Sequence, residues 1–198
     1  MAWDKGFNFR ATADYVTDGP DETYVLGDIY PTTRNGVTFG WVTSAPDETR
    51  NRSTTVDVRL AGQNAIDNTG ASQNFRVDLT ATGDYTIRLA AGDASFAQKI
   101  DVEFLDDTTV FSTVADNVAT AGGQFVDATG VTRTSAAWPA DNQTLARTFA
   151  STLFVVRCAA LSATVNNSVL AHLFVSQAAA GAAWGPLLGL ENNRLVVA

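Results

Sequence analysis

Asn74-Phe75-Arg76-Val77-Asp78-Leu79-Thr80-Ala81-Thr82-Gly83-Asp84-Tyr85-Thr86-Ile87-Arg88-Leu89-Ala90-Ala91 holds two runs of strict alternation around a short polar turn. Phe75, Val77 and Leu79 face one way, with Arg76 and Asp78 opposite. After the turn, Tyr85, Ile87 and Leu89 repeat the pattern, with Thr86 and Arg88 opposite. A period of two marks half-buried strands, and the short turn between the runs predicts an antiparallel hairpin. Alternation alone reads Arg76, Asp78 and Arg88 as the wetter face of a sheet.

Outward from this stretch, strand-like segments recur between Gly, Asn, Asp and Pro. Phe7 to Phe9, Thr23 to Tyr30 and Val37 to Thr43 come first, the last two flanking a turn with Asn35-Gly36. Val56 to Leu60 follows an Arg-rich loop, and Lys99 to Leu105 alternates with Ile100, Val102 and Phe104 on one side. Thr109 to Val114, Gln124 to Val126, Val131 to Thr134, Arg147 to Cys158, Leu170 to Gln177 and Arg194 to Val197 continue the series. No run of ten residues shows a helical period. The predicted fold is all-β, a two-sheet antiparallel sandwich of the jelly-roll kind over residues 1–177, followed by an arm over 178–198.

Composition narrows the function. Charged residues are 17% of the 198, below the usual ~25%, which suits the neutral, Thr-rich surface that sheets carry. The net charge of -8 opposes a phosphate backbone, and Arg50, Arg52 and Arg59 are interleaved with Asp47, Glu48 and Asp57, so nucleic-acid binding is not expected. No segment has the length to span a membrane or the form of a secretory signal peptide. Cys158, the one cysteine, sits in an apolar run and reads as a buried, inert thiol.

Candidate chemistry is sparse. His172, the one histidine, lies in Leu170-Ala171-His172-Leu173-Phe174-Val175 and reads as a core or interface residue satisfied by a hydrogen bond. No nucleophile elbow, phosphate loop or zinc pattern occurs, so neither an enzyme nor a bound cofactor is expected. Asp18 to Glu22 and Asp106-Asp107 are oxygen-rich enough for a structural calcium ion, but they read first as solvated turns. For glycan binding, Trp138 beside Asp141 and Asn142 offers an aromatic platform with polar neighbours; the competing reading has Trp138 closing one end of the core. Ala178 to Leu190 carries no charge and contains Trp184, Leu187, Leu188 and Leu190. It either packs back across the sandwich or docks as an apolar arm on a neighbouring subunit.

Phe75-Arg76-Val77-Asp78-Leu79, the turn with Gly83, Tyr85-Thr86-Ile87-Arg88-Leu89 and Gly92-Asp93 resemble the galactose-binding-like jelly roll attached to rhamnogalacturonan lyases and to SGNH-type esterases. Phe7-Asn8-Phe9, Gly40-Trp41 and Arg50-Asn51-Arg52 precede them in the order those modules show, and Leu170 to Val175 resembles their closing strand. Thr80-Ala81-Thr82 replaces the proline of their turn. The resemblance implies a non-catalytic sandwich, either a sugar-binding accessory or a structural module. With no catalytic domain beside it, the chain is similar to the small jelly-roll proteins of tailed-phage heads, tails and fibres. The expectation is therefore a virion assembly subunit, assembled in the host cytoplasm, whose partners are further copies or other virion proteins. The alternative is a carbohydrate-binding module that recognises surface glycans.

Overall fold

The computed structural model describes residues 3–13, 22–52, 57–66, 71–138, 144–158 and 168–177, together with the backbone of 190–191 and 194–195. In chain order the strands are β1 (Asp4–Phe9), β2 (Glu22–Val25), β3 (Thr32–Arg34), β4 (Val37–Trp41), β5 (Glu48–Asn51), β6 (Gly62–Ile66), β7 (Gln73–Asp78), β8 (Gly83–Asp93) and β9 (Gln98–Asp106). They continue with β10 (Thr109–Thr120), β11 (Gln124–Val126), β12 (Thr132–Thr134), β13 (Leu145–Phe149), β14 (Leu153–Cys158), β15 (Ser168–Ser176), β16 (Leu190–Glu191) and β17 (Arg194–Leu195).

Two sheets pack face to face as a jelly-roll sandwich. The six-stranded sheet runs β10-β9-β14-β7-β4-β3, and the nine-stranded sheet runs β12-β11-β8-β15-β1-β2, with β13 on β8, and β6 and β5 reached from β15. Among the described strands pairing is antiparallel except between β1 and β2, which run parallel from Gly6↔Glu22 to Phe9↔Val25, and a single parallel bridge joins Ile29 to Trp41. Among the described residues β16 pairs with β17, Leu190 against Leu195.

The stretch 74–91 is not a hairpin. β7 pairs with β4 and β14 in the six-stranded sheet, whereas β8 pairs with β15, β11 and β13 in the other. The turn after buried Leu79 carries the chain across the sandwich, so Phe75 and Val77 meet Ile87 and Leu89 through the core. Alternation says which side of a strand is buried; it does not say which strand lies beside it. The same device splits Arg147 to Cys158, read from sequence as one strand. The Asp106 carboxylate accepts the amides of Ala150 (2.8 Å) and Ser151 (3.0 Å) and the Ser151 hydroxyl, so β13 joins one sheet and β14 the other. Val56 to Leu60 is also not the expected strand: Val58–Leu60 is a 3-10 turn, and the strand is Gly62–Ile66, whose polar Gln63 and Asn64 hid it.

The core is aromatic where β1, β4 and β7 meet. The Phe75 ring lies 4.9 Å from Phe9, 5.4 Å from Trp41, 5.7 Å from Phe7 and 6.0 Å from Phe39, centroid to centroid. Edge-to-face packing of this kind adds to simple burial. The Trp41 indole donates to Asn64 Oδ1 at 3.2 Å, which removes the cost of an unmet polar atom in this core. Phe75→Ala is expected to lower the unfolding free energy by about 3–5 kcal/mol, read from urea denaturation. A loss below about 1 kcal/mol would show that the ring is not central to the packing.

Candidate functional site

The two sheets have unlike outer faces. Along β7 burial alternates, Phe75 and Val77 buried and Asn74, Arg76 and Asp78 half-buried, as for a sheet open to solvent. Along β8 every residue from Ile87 to Asp93 is buried, on both sides of the strand. Arg88 is therefore not on a wet face, as alternation implied; it is 8% exposed. Desolvation, with the charge of Arg59 added, brings its pKa down to about 10.

The covered face is polar as well as buried. Glu22 on β2 places both carboxylate oxygens 3.1 Å from His172 Nε2 and accepts Asn8 Nδ2 at 2.6 Å. Glycine at position 6 makes room for that carboxylate, since a Cβ there would lie 2.1 Å from it. Asp57 accepts Arg59 Nε at 2.9 Å and Arg59 Nη2 at 2.6 Å. Beside these groups Trp138 packs with Phe125, Leu60, Ala90 and Ala171. His172 and Glu22 are 1% and 6% exposed at the side chain, a position for tying β2 and β15 to β1.

The open face of the six-stranded sheet presents a different arrangement. Register aligns Gly40, Arg76, Val155, Leu105 and Val110 across β4, β7, β14, β9 and β10. Gly40 has φ 143°, and a Cβ there would lie 2.4 Å from the Tyr30 amide nitrogen, so glycine lets the segment at Tyr30 lie over β4. The Arg76 guanidinium stacks 4.2 Å from the Tyr30 ring centroid and its Nε donates to Asp78 at 2.8 Å. Tyr30 donates its hydroxyl to Asp78 at 3.1 Å; burial first, and then this bond and the charge of Asp78, raise the phenol pKa. In the adjacent row Arg157 donates to Glu103 at 3.2 Å. Next to these charged pairs Val155 and Leu105 are buried, at 7% and 1% exposure, so this part of the outer face is covered and only the charged groups beside it reach solvent.

Of the glycan platform predicted from sequence, Trp138 alone is among the described residues. Trp138 is fully buried on the covered face, its ring 6.0 Å from Phe125, so it presents no surface to a sugar. Nor does it close an end of the main core. Asp141 and Asn142 lie outside the described residues, as do Trp184, Leu187 and Leu188 of the arm; Leu190 opens β16, and only its backbone is described. Of the carboxylates weighed for calcium, Glu22 is engaged by His172 and Asn8, Asp106 holds the Ala150-Ser151 turn, and Asp107 sits at a left-handed turn (φ 56°). Among the described residues no three His, Cys, Asp or Glu side chains converge on a metal position. Cys158 is buried, and that burial, with the charge of Asp101, pushes its thiol pKa up. The sequence reading passed over Tyr30 and set aside Arg76 and Asp78. A signal existed: opposite charges two apart in a strand share a face, as Arg76 and Asp78 do.

No protein-family model matches the chain, and no curated protein matches it. Among solved structures, CBM35 from Paenibacillus barcinonensis superposes with a TM-score of 0.35 at 11% identity, over 72% of this chain and 94% of that one. Agreement this low carries no conclusion about ancestry or ligand, and the jelly roll rests on the strand pairings themselves.

Burial alone would raise the carboxyl pKa of Asp57, Asp106 and Asp127, but their hydrogen bonds and cationic neighbours outweigh it and hold all three below the usual range. For Asp127 those partners are Arg133, Thr129 and the Val131 amide. A carboxylate titrating lower in the folded state stabilises the fold above the unfolded pKa of about 4, and that contribution drains away as pH falls through the folded value. Denaturation midpoints are therefore expected to drop below about pH 4, with a shallower pH slope in Asp127→Asn. Parallel slopes for the two proteins would remove Asp127 from this account.

Proposed function

We propose that the chain is a non-catalytic carbohydrate-binding module whose site is the open face of the six-stranded sheet. The observation that carries this reading is the half-buried Tyr30-Arg76-Asp78 network, with the half-buried Arg157-Glu103 pair on the same face. A sugar ring offers a weakly polar carbon–hydrogen face and a rim of hydroxyls. Aromatic surface meets the first; guanidinium donors and carboxylate acceptors in fixed positions meet the second. The charged groups already brace one another, so little side-chain freedom is lost on binding.

The alternative of a virion assembly subunit, as a capsid decoration or a tail or fibre protein, has no comparable observation behind it. Its docking arm falls in residues outside those described, apart from the backbone of Leu190.

The reading is tested on a glycan array with the wild-type protein and Arg76→Ala, which removes a half-buried side chain and leaves the core intact. The expected result is binding to a defined glycan class by the wild type and a loss of about 10-fold or more in the variant, a change worth about 1.4 kcal/mol. No binding by the wild type, or binding indifferent to Arg76, defeats the proposal.

A further inference from the structure

We infer that the site holds two consecutive sugar units laid along β7, the first over Tyr30, Arg76 and Asp78 and the second over Val42, Asn74 and Arg157. The inference rests on the carbohydrate reading above and adds the direction of the ligand, its length and the residue that fixes its second unit.

Direction follows from exposure. From Arg76 towards the far edge of the sheet, the next two outward residues, Val155 and Leu105, are buried and give a ligand no surface. Along β7 the outward residues Asn74, Arg76 and Asp78 are all half-buried, so each reaches solvent. They share one side of the strand at two-residue spacing, and the step from Arg76 to Asn74 is about 7 Å, close to the span of one sugar unit in a chain. Exposed apolar surface lies on the same flank. Val42 follows fully buried Trp41 at the end of β4, so it points outward, and it is 45% exposed. Its amide donates to the Asn74 carbonyl at 2.9 Å, which places it beside Asn74. β7 runs only from Gln73 to Asp78, so the strand has no further outward position to offer a longer chain.

Two subsites result. At the first, Tyr30 lies over Gly40 and stacks on Arg76, with Asp78 bonded to both. At the second, Val42, Asn74, Arg157 and Glu103 stand in one row across β4, β7, β14 and β9, and Arg157 and Glu103 are 32% and 28% exposed at the side chain. Val42 meets the carbon–hydrogen face of the second sugar there. Asn74 differs from the charged groups around it. Its Oδ1 is shielded and has no hydrogen-bond partner among the described residues, whereas Arg76 and Asp78, and Arg157 and Glu103, are paired already. An amide oxygen left unpaired carries a cost, and turning the amide outward to accept a sugar hydroxyl removes it. Asn74 is thus the group with most to gain from the second sugar unit.

The test starts from a glycan that the array scores positive. Its mono- to tetrasaccharides are titrated calorimetrically, and the methyl resonances of Val42 and Val110 are followed by NMR. Affinity is expected to rise about 10-fold or more from the monosaccharide to the disaccharide and to change by less than about 2-fold beyond it. The Val42 methyls are expected to shift with the disaccharide, while those of Val110, exposed on β10 at the far edge of the sheet, stay in place. Asn74→Ala is expected to weaken the disaccharide about 10-fold and the monosaccharide less than about 2-fold. Val42→Ser, a change at an exposed position, is expected to weaken the disaccharide about 3-fold and spare the monosaccharide. Affinity still climbing at the tetrasaccharide, shifts at Val110 in place of Val42, or disaccharide binding indifferent to both substitutions overturns the inference and leaves the carbohydrate reading standing. Failure of every glycan to bind overturns both.

Discussion

Packing around Phe75 is the constraint on which the rest of the sandwich depends. Its ring touches Phe7 and Phe9 on the opposite sheet and Phe39 and Trp41 on its own, so both layers are fixed to one side chain. Aromatic edges meeting aromatic faces have narrow geometric tolerance, so the cluster sets the relative position of the sheets as well as stabilising them. With that position set, each strand's inward side is decided, and every outward residue must be accommodated by solvent, by a partner or by a cover.

How the outward residues are met explains what the sequence revealed and what it hid. The alternation of Phe75, Val77, Tyr85, Ile87 and Leu89 identifies inward side chains correctly, and all five are buried. It fails on partners, because strands of one sheet and strands of facing sheets carry the same pattern. The crossings after Leu79 and at Ala150-Ser151 therefore read as a tight turn and as an unbroken strand. The second crossing depends on Asp106, more than forty residues earlier, accepting two backbone amides; no local pattern around 150 announces such a contact.

The candidate site was half legible for a related reason. Trp138 drew the sequence reading because large aromatics bind sugars, yet Trp is also a side chain that a growing core absorbs. Its burial against Phe125 and Leu60 depends on a cover over the outer face of β8, and the two-residue period of β8 carries no trace of that cover. Arg76 and Asp78, in contrast, were in plain view two positions apart. Their importance emerges only with Tyr30, brought over β4 by a contact that Gly40 permits and alternation does not encode.

Arg76 and Arg88 make the final comparison. Each points outward from a strand of the same 18-residue stretch, and alternation treats them alike. Arg88 lies under a covered face, and its lowered pKa records the cost of desolvating a guanidinium there. Arg76 remains half-buried, stacked on an aromatic ring and bonded to a carboxylate. A covered sheet face has to neutralise its polar groups internally and has nothing left to offer a partner. An open face that nonetheless holds its charges in place with aromatic and ionic contacts starts with its recognition groups already ordered. Ordering before encounter lowers the entropy lost on binding, which is the reason the proposed site is placed on the outer face around Arg76 and not on the more polar covered face.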